Sequence, residues 1–375
     1  MAEAALDQAV PTGCKRRMRG ADIVVAGAGA IGSAVACALA RAGHRVTVVD
    51  PLGANASSIA AGMLAPAFER VFDPTAAGDY ELLAEARDLW PALADEIGLP
   101  IAKDGALAIG TEAEAKAWTT KLWRLGAQAR LLTPGDAQAL ADGVPAGAWA
   151  AFTPEDWRLD PTTALAQLRA AAEAGGARFV RGRVTGFAAG GAELEGSERL
   201  TADRLVIATG AAQGLAGLAP ELEALTPIKG HIWRAAGPFH AQPVVRAAGI
   251  YLCAAEGGAV LGASMEVGVA AEGVDAAAAA GLFEAAAPLL GVLASPTAQP
   301  VSWSAAAGVR AATPDGLPLV GAAGAAGVIL AVGARRNGWL RAPMIARAVL
   351  DALEGRAPGA AAARLDPRRR VSSPG

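Results

Sequence analysis

The sequence predicts an α/β fold that opens on a βαβ unit, passes through a strand-rich antiparallel region and returns to α/β character. Three observations predict it. Gly27, Gly29 and Gly32 form G-x-G-x-x-G between an apolar run at 23–25 and a small-residue stretch stopped by Gly43, and a second apolar run at 46–49 ends in Asp50. Residues 225–304 read mostly as strands, with a hairpin about Glu256-Gly257-Gly258. Residues 306–352 then give a turn, two strands and a helix. In the first unit the three glycines serve a tight turn, close approach of backbone to a diphosphate, and close packing of helix on strand. The helix N-terminus offers free N–H groups to an anion. Asp50 stands where a carboxylate accepts ribose hydroxyls, so the unit reads as a dinucleotide site.

The elements follow in order. Residues 1–20 read as a disordered leader. Residues 23–40 carry no charge and follow Lys15-Arg16-Arg17, so an export signal or membrane anchor is the competing reading. The spaced glycines and the β-branched strand running into Asp50 favour a buried βαβ unit. Residues 33–41 are its helix. The segment 53–66 joins Ser57 and Ser58 to small residues around Gly62, suited to packing against a flat polar ligand. The pattern predicts a helix over 79–97, a strand or hairpin over 101–111, a helix over 112–126 and a short helix opened by Thr133. Asp160 caps a helix over 162–175, with Pro161 at its first position. Strands follow at 178–187 and 200–207, the latter closing on Ala208-Thr209-Gly210, a second place where a strand end can meet a cofactor. Strands at 226–233, 249–253 and 259–263 precede helix over 270–293. Strands at 313–320 and 327–332 lead to a helix that Asn337 can cap, with Pro343 tolerable only near its start. Arg368 to Arg370 read as a solvated charge run.

Composition sets limits. A chain of 375 residues allows two or three domains. The net charge of −3 with mixed signs argues against nucleic acid. Beyond 23–40 no run is long enough for stable membrane insertion. Cys14, Cys37 and Cys253 are few, odd in number and without C-x-x-C spacing, which fits a reducing, cytoplasmic setting without disulfides or zinc. His44, His231 and His240 are the only histidines, so a histidine-based triad or metal site is poorly supplied and no metal is expected.

Several stretches together resemble the glycine oxidase branch of the D-amino acid oxidase family of flavoproteins. They are the Gly27–Gly32 fingerprint, Ser57 to Pro66 with its Ala-Ala-Gly-Met-Leu-Ala-Pro, 205–210, Pro227-Ile228-Lys229-Gly230, Tyr251, Gly262-Ala263-Ser264-Met265-Glu266, Gly308-Val309-Arg310 with 313–318, and Arg336-Asn337-Gly338. They occur in the family's order and span about residues 21–370. The resemblance implies non-covalent FAD, Ile59 lying near the position of the covalent-flavin histidine in dimethylglycine-type relatives. It also implies a Rossmann-like FAD-binding domain (21–78, 152–215 and 305–365) interrupted by an antiparallel-sheet substrate domain (79–151 and 216–304), with 366–375 a flexible tail.

By the same resemblance Gly27, Gly29, Ala30, Ile31 and Gly32 line the FAD diphosphate and Asp50 the adenosine ribose. Ser57, Ser58, Gly62, Met63 and Leu64 pack around FAD, Val184 meets the adenine through its backbone, and Thr209 and Gly210 lie at the cofactor edge. Gly333, Ala334, Arg335, Arg336, Asn337, Gly338, Trp339 and Leu340 form the loop and helix start over the flavin's pyrimidine end, where a helix N-terminus suits the negative charge of reduced flavin. Arg310 is the implied bidentate partner of the substrate carboxylate, Tyr251 a pocket hydroxyl, and Arg336 a second pocket or flavin contact. Departures from the family pattern fall at Ala334 and Arg335, where Gly-His-x-Arg-Asn-Gly is usual, at Ala254-Ala255, and at Trp339 and Arg341. The implied activity is oxidation of glycine, sarcosine or another small D-amino acid by FAD and dioxygen, with imino acid and hydrogen peroxide as products and thiazole synthesis for thiamine as a consumer. The alternatives are a D-amino acid dehydrogenase that passes electrons to a quinone or carrier protein, an NAD-linked dehydrogenase, and a flavin-binding protein without turnover. A homo-oligomer is among the assemblies allowed.

Overall fold

The computed structural model describes residues 20–73, 80–237, 239, 243–247, 249–290 and 302–369. The leader before Gly20, Cys14, Asp79, His240, the end of the 270–293 helix and the tail from Arg370 lie outside them.

A six-stranded sheet carries the first half of the architecture. Its order is Leu319–Ala322, Val328–Val332, Arg204–Ile207, Asp22–Ala26, Arg45–Asp50 and Arg178–Arg181, parallel throughout except for the antiparallel edge strand Leu319–Ala322. Ile23 and Val25 pack on one side with the helices Ala30–Arg41, Pro161–Ala174 and Gly338–Leu353, while Val24 and Ala26 pack on the other with Leu205, Ile207 and Leu222. Burial on both faces explains the uninterrupted apolar runs.

The second half is a nine-stranded, mainly antiparallel sheet. Thr226–Ala236 pairs along its whole length with Ser302–Ala312, and the order continues through Gly258–Gly262, Ile250–Ala255, Val244–Ala247, Ala106–Gly110 and Trp149–Thr153. The expected hairpin joins Ile250–Ala255 to Gly258–Gly262. A small sheet of Met63–Leu64, Trp157–Leu159 and Ile101–Ala102 lies apart from both large sheets.

The structure departs from the sequence reading in several places, each with a local cause. The helix expected over 79–97 is two, Tyr80–Asp88 and Trp90–Ile97, because Pro91 sits at the second position of the latter and cannot continue the former's hydrogen bonds. Residues 101–111 do not form a hairpin: Ile101–Ala102 and Ala106–Gly110 join different sheets. The strand expected over 178–187 breaks at Gly182, where Gly182 N–H donates to Asp50 O, and Val184–Ala188 enters a separate antiparallel sheet. The strand over 200–207 likewise divides into Arg199–Leu200 and Arg204–Ile207. Helix in 270–293 begins only at Ala276, capped by Asp275. Two stretches sit elsewhere than the sequence division has them. Ser302–Ala312 belongs to the antiparallel sheet, and the 80–97 helices share the core of the parallel one through Leu82, Leu83 and Trp90. Arg369 is not a solvated charge: its guanidinium pairs with Asp315 at 2.7 Å and donates to the Leu317 and Pro318 carbonyls. Arg368 does stay exposed. The 162–175 cap is as expected, with Asp160 accepting from Thr163 N and Pro161 opening the helix.

Candidate active site

The glycine turn is tight enough to exclude side chains. A Cβ at Gly27, which has φ +107°, would lie 2.4 Å from Ala208 O, and one at Gly32 would lie 2.0 Å from Gly27 O. Gly29 instead abuts the Ser57 hydroxyl at 3.0 Å from an added Cβ. The helix starts at Ala30, earlier than expected, so Ile31 and Gly32 lie in its first turn. Asp50 accepts from Ala28 N at 2.7 Å and Leu52 N at 2.6 Å, fixing its carboxylate against the turn. Thr209 Oγ1 donates to Ala212 O, and Gly210 takes φ +64°. Val184 opens the strand two residues beyond the Gly182–Asp50 contact. These residues converge at the ends of adjacent parallel strands, where such sheets bind ligands.

The 55–66 segment is built by Asn55, whose side chain accepts from Ser57 N and Ser58 N. Ser58 Oγ closes that turn onto Asn55 O, whereas Ser57 Oγ accepts from Ala30 N at 2.9 Å. Gly62, at φ +70°, is demanded by packing, since a Cβ would meet Leu159 O at 2.1 Å. Met63 and Leu64 follow as a short strand. Arg234, from the long sheet, donates to Ser58 O and Ile59 O and fastens the segment to the sheet face.

That face carries Tyr251 and Arg310. Arg310 is half-buried, and desolvation lowers its pKa below the ordinary arginine value. Its Nη2 donates to Ser264 O at 3.0 Å and its Nη1 to Met265 Sδ at 3.2 Å, with no carboxylate in ion-pair range among the described residues. The guanidinium is thus partly desolvated without an ion-pair partner among the described residues, and a thioether is a weak acceptor. Gly230 makes the room, because a Cβ there would fall 1.4 Å from Arg310 Nη2. Burial pushes the Tyr251 phenol up to about 12, against the pull of Arg310, Arg336 and Arg246, so the hydroxyl remains a donor.

The 333–341 loop carries charge of its own. Arg336 Nε meets Glu69 Oε1 at 3.1 Å, and Glu69, followed by Asp73, raises the Arg336 pKa. Arg335 pairs with Asp73, and its backbone, in a left-handed conformation at φ +51°, is held by Arg335 N donating to Ala311 O at 2.7 Å. Gly333, at φ +81°, packs on Thr313, and Ala334 bridges to Ala312. Asn337 does not cap the helix through its side chain as expected; its amide reaches Glu69 at 3.4 Å. Gly338 begins the helix, Leu340 is fully buried, and Trp339 Nε1 donates to Ser57 O at 3.1 Å.

Sequence reasoning missed several participants. Glu69 and Asp73, on and just beyond the Pro66–Phe72 helix, supply the counter-charges to Arg335 and Arg336. Arg246, unlike Arg310 and Arg336, is buried, on the strand beside that of Tyr251. His231 is fully buried with both ring nitrogens engaged: Nε2 accepts from Asp275 N, so Nδ1 carries the proton toward Glu266 Oε1 at 2.8 Å. Ser264 Oγ joins the same group, which braces the segment whose carbonyl and methionine hold Arg310. No spacing in the sequence marks these pairs. Among the described residues no cluster of metal-ligating side chains forms, and no helix is long and apolar enough to cross a membrane.

The chain is similar to known proteins over most of its length. It is 30% identical to the glycine oxidase of Geobacillus kaustophilus (strain HTA426), over 89% of this chain and 93% of that one. It is 31% identical to the bifunctional protein ThiO/ThiG of Trichormus variabilis (strain ATCC 29413 / PCC 7937), over 88% of this chain and 52% of that one. The crystal structure of glycine oxidase from Geobacillus kaustophilus superposes with a TM-score of 0.80 at 27% identity, covering 95% of this chain and all of that one. The family model described as FAD dependent oxidoreductase matches residues 22–352, and with the glycine turn, Asp50 and the two-sheet architecture in place the chain belongs to that family.

Proposed function

We propose that the protein oxidises a small amino acid, with glycine, sarcosine and D-alanine the first to test, and that Arg310 anchors the substrate carboxylate. One observation carries this reading: a half-buried guanidinium, with no carboxylate in ion-pair range among the described residues, on the same sheet face as a protonated tyrosine. A planar fork of N–H donors suits a carboxylate bidentately, which lysine cannot match.

The residues present fit FAD, the family's cofactor. Gly27 and Gly32 have no space for a side chain, the Ala30–Arg41 helix opens directly on that turn, and Asp50 is braced by two backbone N–H groups. In this reading Gly27, Gly29, Ala30, Ile31 and Gly32 hold the diphosphate and Asp50 the ribose. Ser57, Met63, Leu64, Val184, Thr209 and the 333–340 segment surround the rest. FAD held there would supply the two-electron acceptor for the α-C–H hydride, with dioxygen as the final acceptor and hydrogen peroxide as product.

The chain's own part is orientation. Arg310 fixes the carboxylate and so the direction of the α-C–H bond, Tyr251 donates its O–H, and Arg336, neutralised by Glu69 and Asp73, adds little net charge. The amine must be neutral for hydride loss. His231 has no free ring nitrogen, so its proton leaves to solvent rather than to that histidine. The imino acid then departs to hydrolysis or to a direct consumer, a role that thiazole synthesis for thiamine would fit. Purified holoenzyme mixed anaerobically with glycine, sarcosine and D-alanine tests this: one of them should bleach the flavin, and air should restore it with peroxide. Bleaching by none would sink the proposed substrate class.

A further inference from the structure

Two of the guanidinium groups that act on the Tyr251 hydroxyl, those of Arg310 and Arg336, are partnered in opposite ways. Arg310 has no carboxylate in ion-pair range among the described residues. Arg336 Nε lies 3.1 Å from Glu69 Oε1, and its Nη1 lies 3.7 Å from Asp73 Oδ2. Arg336 also acts electrostatically on Arg310 itself. The backbone ties the two regions together: Arg335 N donates to Ala311 O and Ala334 bridges to Ala312, beside Arg310 on the same strand.

Glu69 is fixed where it stands. It is 4% exposed. Its helix, Pro66–Phe72, is held at the first turn by Asp156, whose two carboxylate oxygens accept from Ala67 N and Phe68 N. On the other side the Asn337 amide donates to Glu69 Oε1 at 3.4 Å. A carboxylate so enclosed is a permanent counter-ion, unlike an exchangeable surface pair. Without it Arg336 would offer a second planar fork able to take a carboxylate. An amino acid seated there would point its α-C–H bond differently from one anchored on Arg310.

We propose that Glu69 is a specificity-determining residue that keeps Arg336 from competing with Arg310 for the substrate carboxylate, so that the amino acid binds in one orientation. This rests on the assignment of Arg310 as the carboxylate anchor. Glu69 acts as an internal carboxylate already seated on the competing guanidinium.

The test uses the holoenzyme, with acetate as an unreactive probe read by perturbation of the flavin absorbance, and turnover of an amino acid that bleaches the wild-type flavin. Glu69→Gln keeps an acceptor for Arg336 and Asn337 and removes the charge. It is expected to bind acetate about tenfold tighter, because the released guanidinium gains a charge-assisted pair. Substrate seated on Arg336 is unproductive, so kcat and KM are expected to fall together by about tenfold, with kcat/KM within about twofold of wild type. A Glu69 that only supports the fold would give no tighter acetate binding and a lower kcat/KM. Adding Arg336→Met to Glu69→Gln is expected to remove the acetate gain. Acetate binding that is no tighter in Glu69→Gln overturns the proposal. So does a gain that survives Arg336→Met, which would place the effect on Arg310. If Glu69→Gln does not fold, Asp73→Asn carries the test: the longer distance predicts a gain of about threefold, and no gain overturns the proposal equally. If wild type binds acetate and oxidises an amino acid while Glu69→Gln behaves identically, Glu69 alone loses its role. If wild type binds no acetate and no amino acid bleaches its flavin, Arg310 and Glu69 fall together.

Discussion

The indole N–H of Trp90 donates to the backbone carbonyl of Trp339 at 2.9 Å, and that carbonyl is the one Pro343 leaves without its helical donor. Pro343 sits inside Gly338–Leu353, where residue 343 would otherwise bond back to 339. The two rings also pack, with centroids 6.2 Å apart. A helix from the first core layer thereby repairs a defect at the helix start that follows the 333–338 loop.

Trp90→Phe should therefore destabilise the protein by about 1–3 kcal/mol, the usual effect of stranding a buried carbonyl. Pro343→Ala restores a backbone donor, so the penalty of Trp90→Phe should shrink in that background by about 1 kcal/mol. Urea unfolding of the four proteins measures this coupling, and strict additivity would refute the assignment.

Gly230→Ala should impair turnover while leaving bound flavin in place. The added Cβ would meet the Arg310 guanidinium. A loss of kcat/KM of about 100-fold is expected if Arg310 is displaced from its carboxylate, roughly the 3 kcal/mol of a bidentate charged pair. Flavin content and kcat/KM measured together separate this from simple misfolding.

Gly32→Ala should act in the opposite way. Its Cβ would lie on Gly27 O and push the first helical turn off the glycine loop. The expected result is protein purified with little flavin, with turnover per bound flavin largely retained. Full flavin content would show that the turn is not the cofactor's cradle.

Asp156 gives the structure a pH signature. Burial raises its carboxyl to about 6 from an unfolded value near 3.8, although Arg246 and two backbone N–H groups favour the anion. A carboxyl raised on folding binds protons more tightly in the native state. The associated stability is complete below about pH 4 and is lost as pH rises through about 6, an effect on the order of 3 kcal/mol. Asp156→Asn should remove that component, so wild type should lose stability relative to the variant between pH 4 and 7. Parallel stability profiles would contradict this environment for Asp156.

Much of the fold and part of the candidate site were legible because local chemistry specifies them. Gly27, Gly32 and Asp50 act within one βαβ unit, and Asp160 with Pro161 marks a helix start on its own. What escaped depends on partners far away in the chain. Arg369 reads as tail charge until Asp315 is brought beside it, and Asn337 reads as a cap until Glu69 claims its amide. Arg246 sits in a short strand with nothing in its neighbours to mark it; only the register with Tyr251 makes it conspicuous. The break before Trp90 was readable from Pro91, whereas the separate destinations of 101–102 and 106–110 follow from sheet pairing alone.

The most direct test of the account compares wild type with Arg310→Ala in anaerobic flavin reduction by amino acids, alongside flavin content. The account predicts a wild-type flavin spectrum that an amino acid bleaches and air restores with peroxide. It predicts an Arg310→Ala protein that keeps its flavin but is reduced about 100-fold or more slowly at equal substrate. Equal loss of flavin and of reduction, or reduction undiminished by the substitution, would contradict Arg310 as the carboxylate anchor.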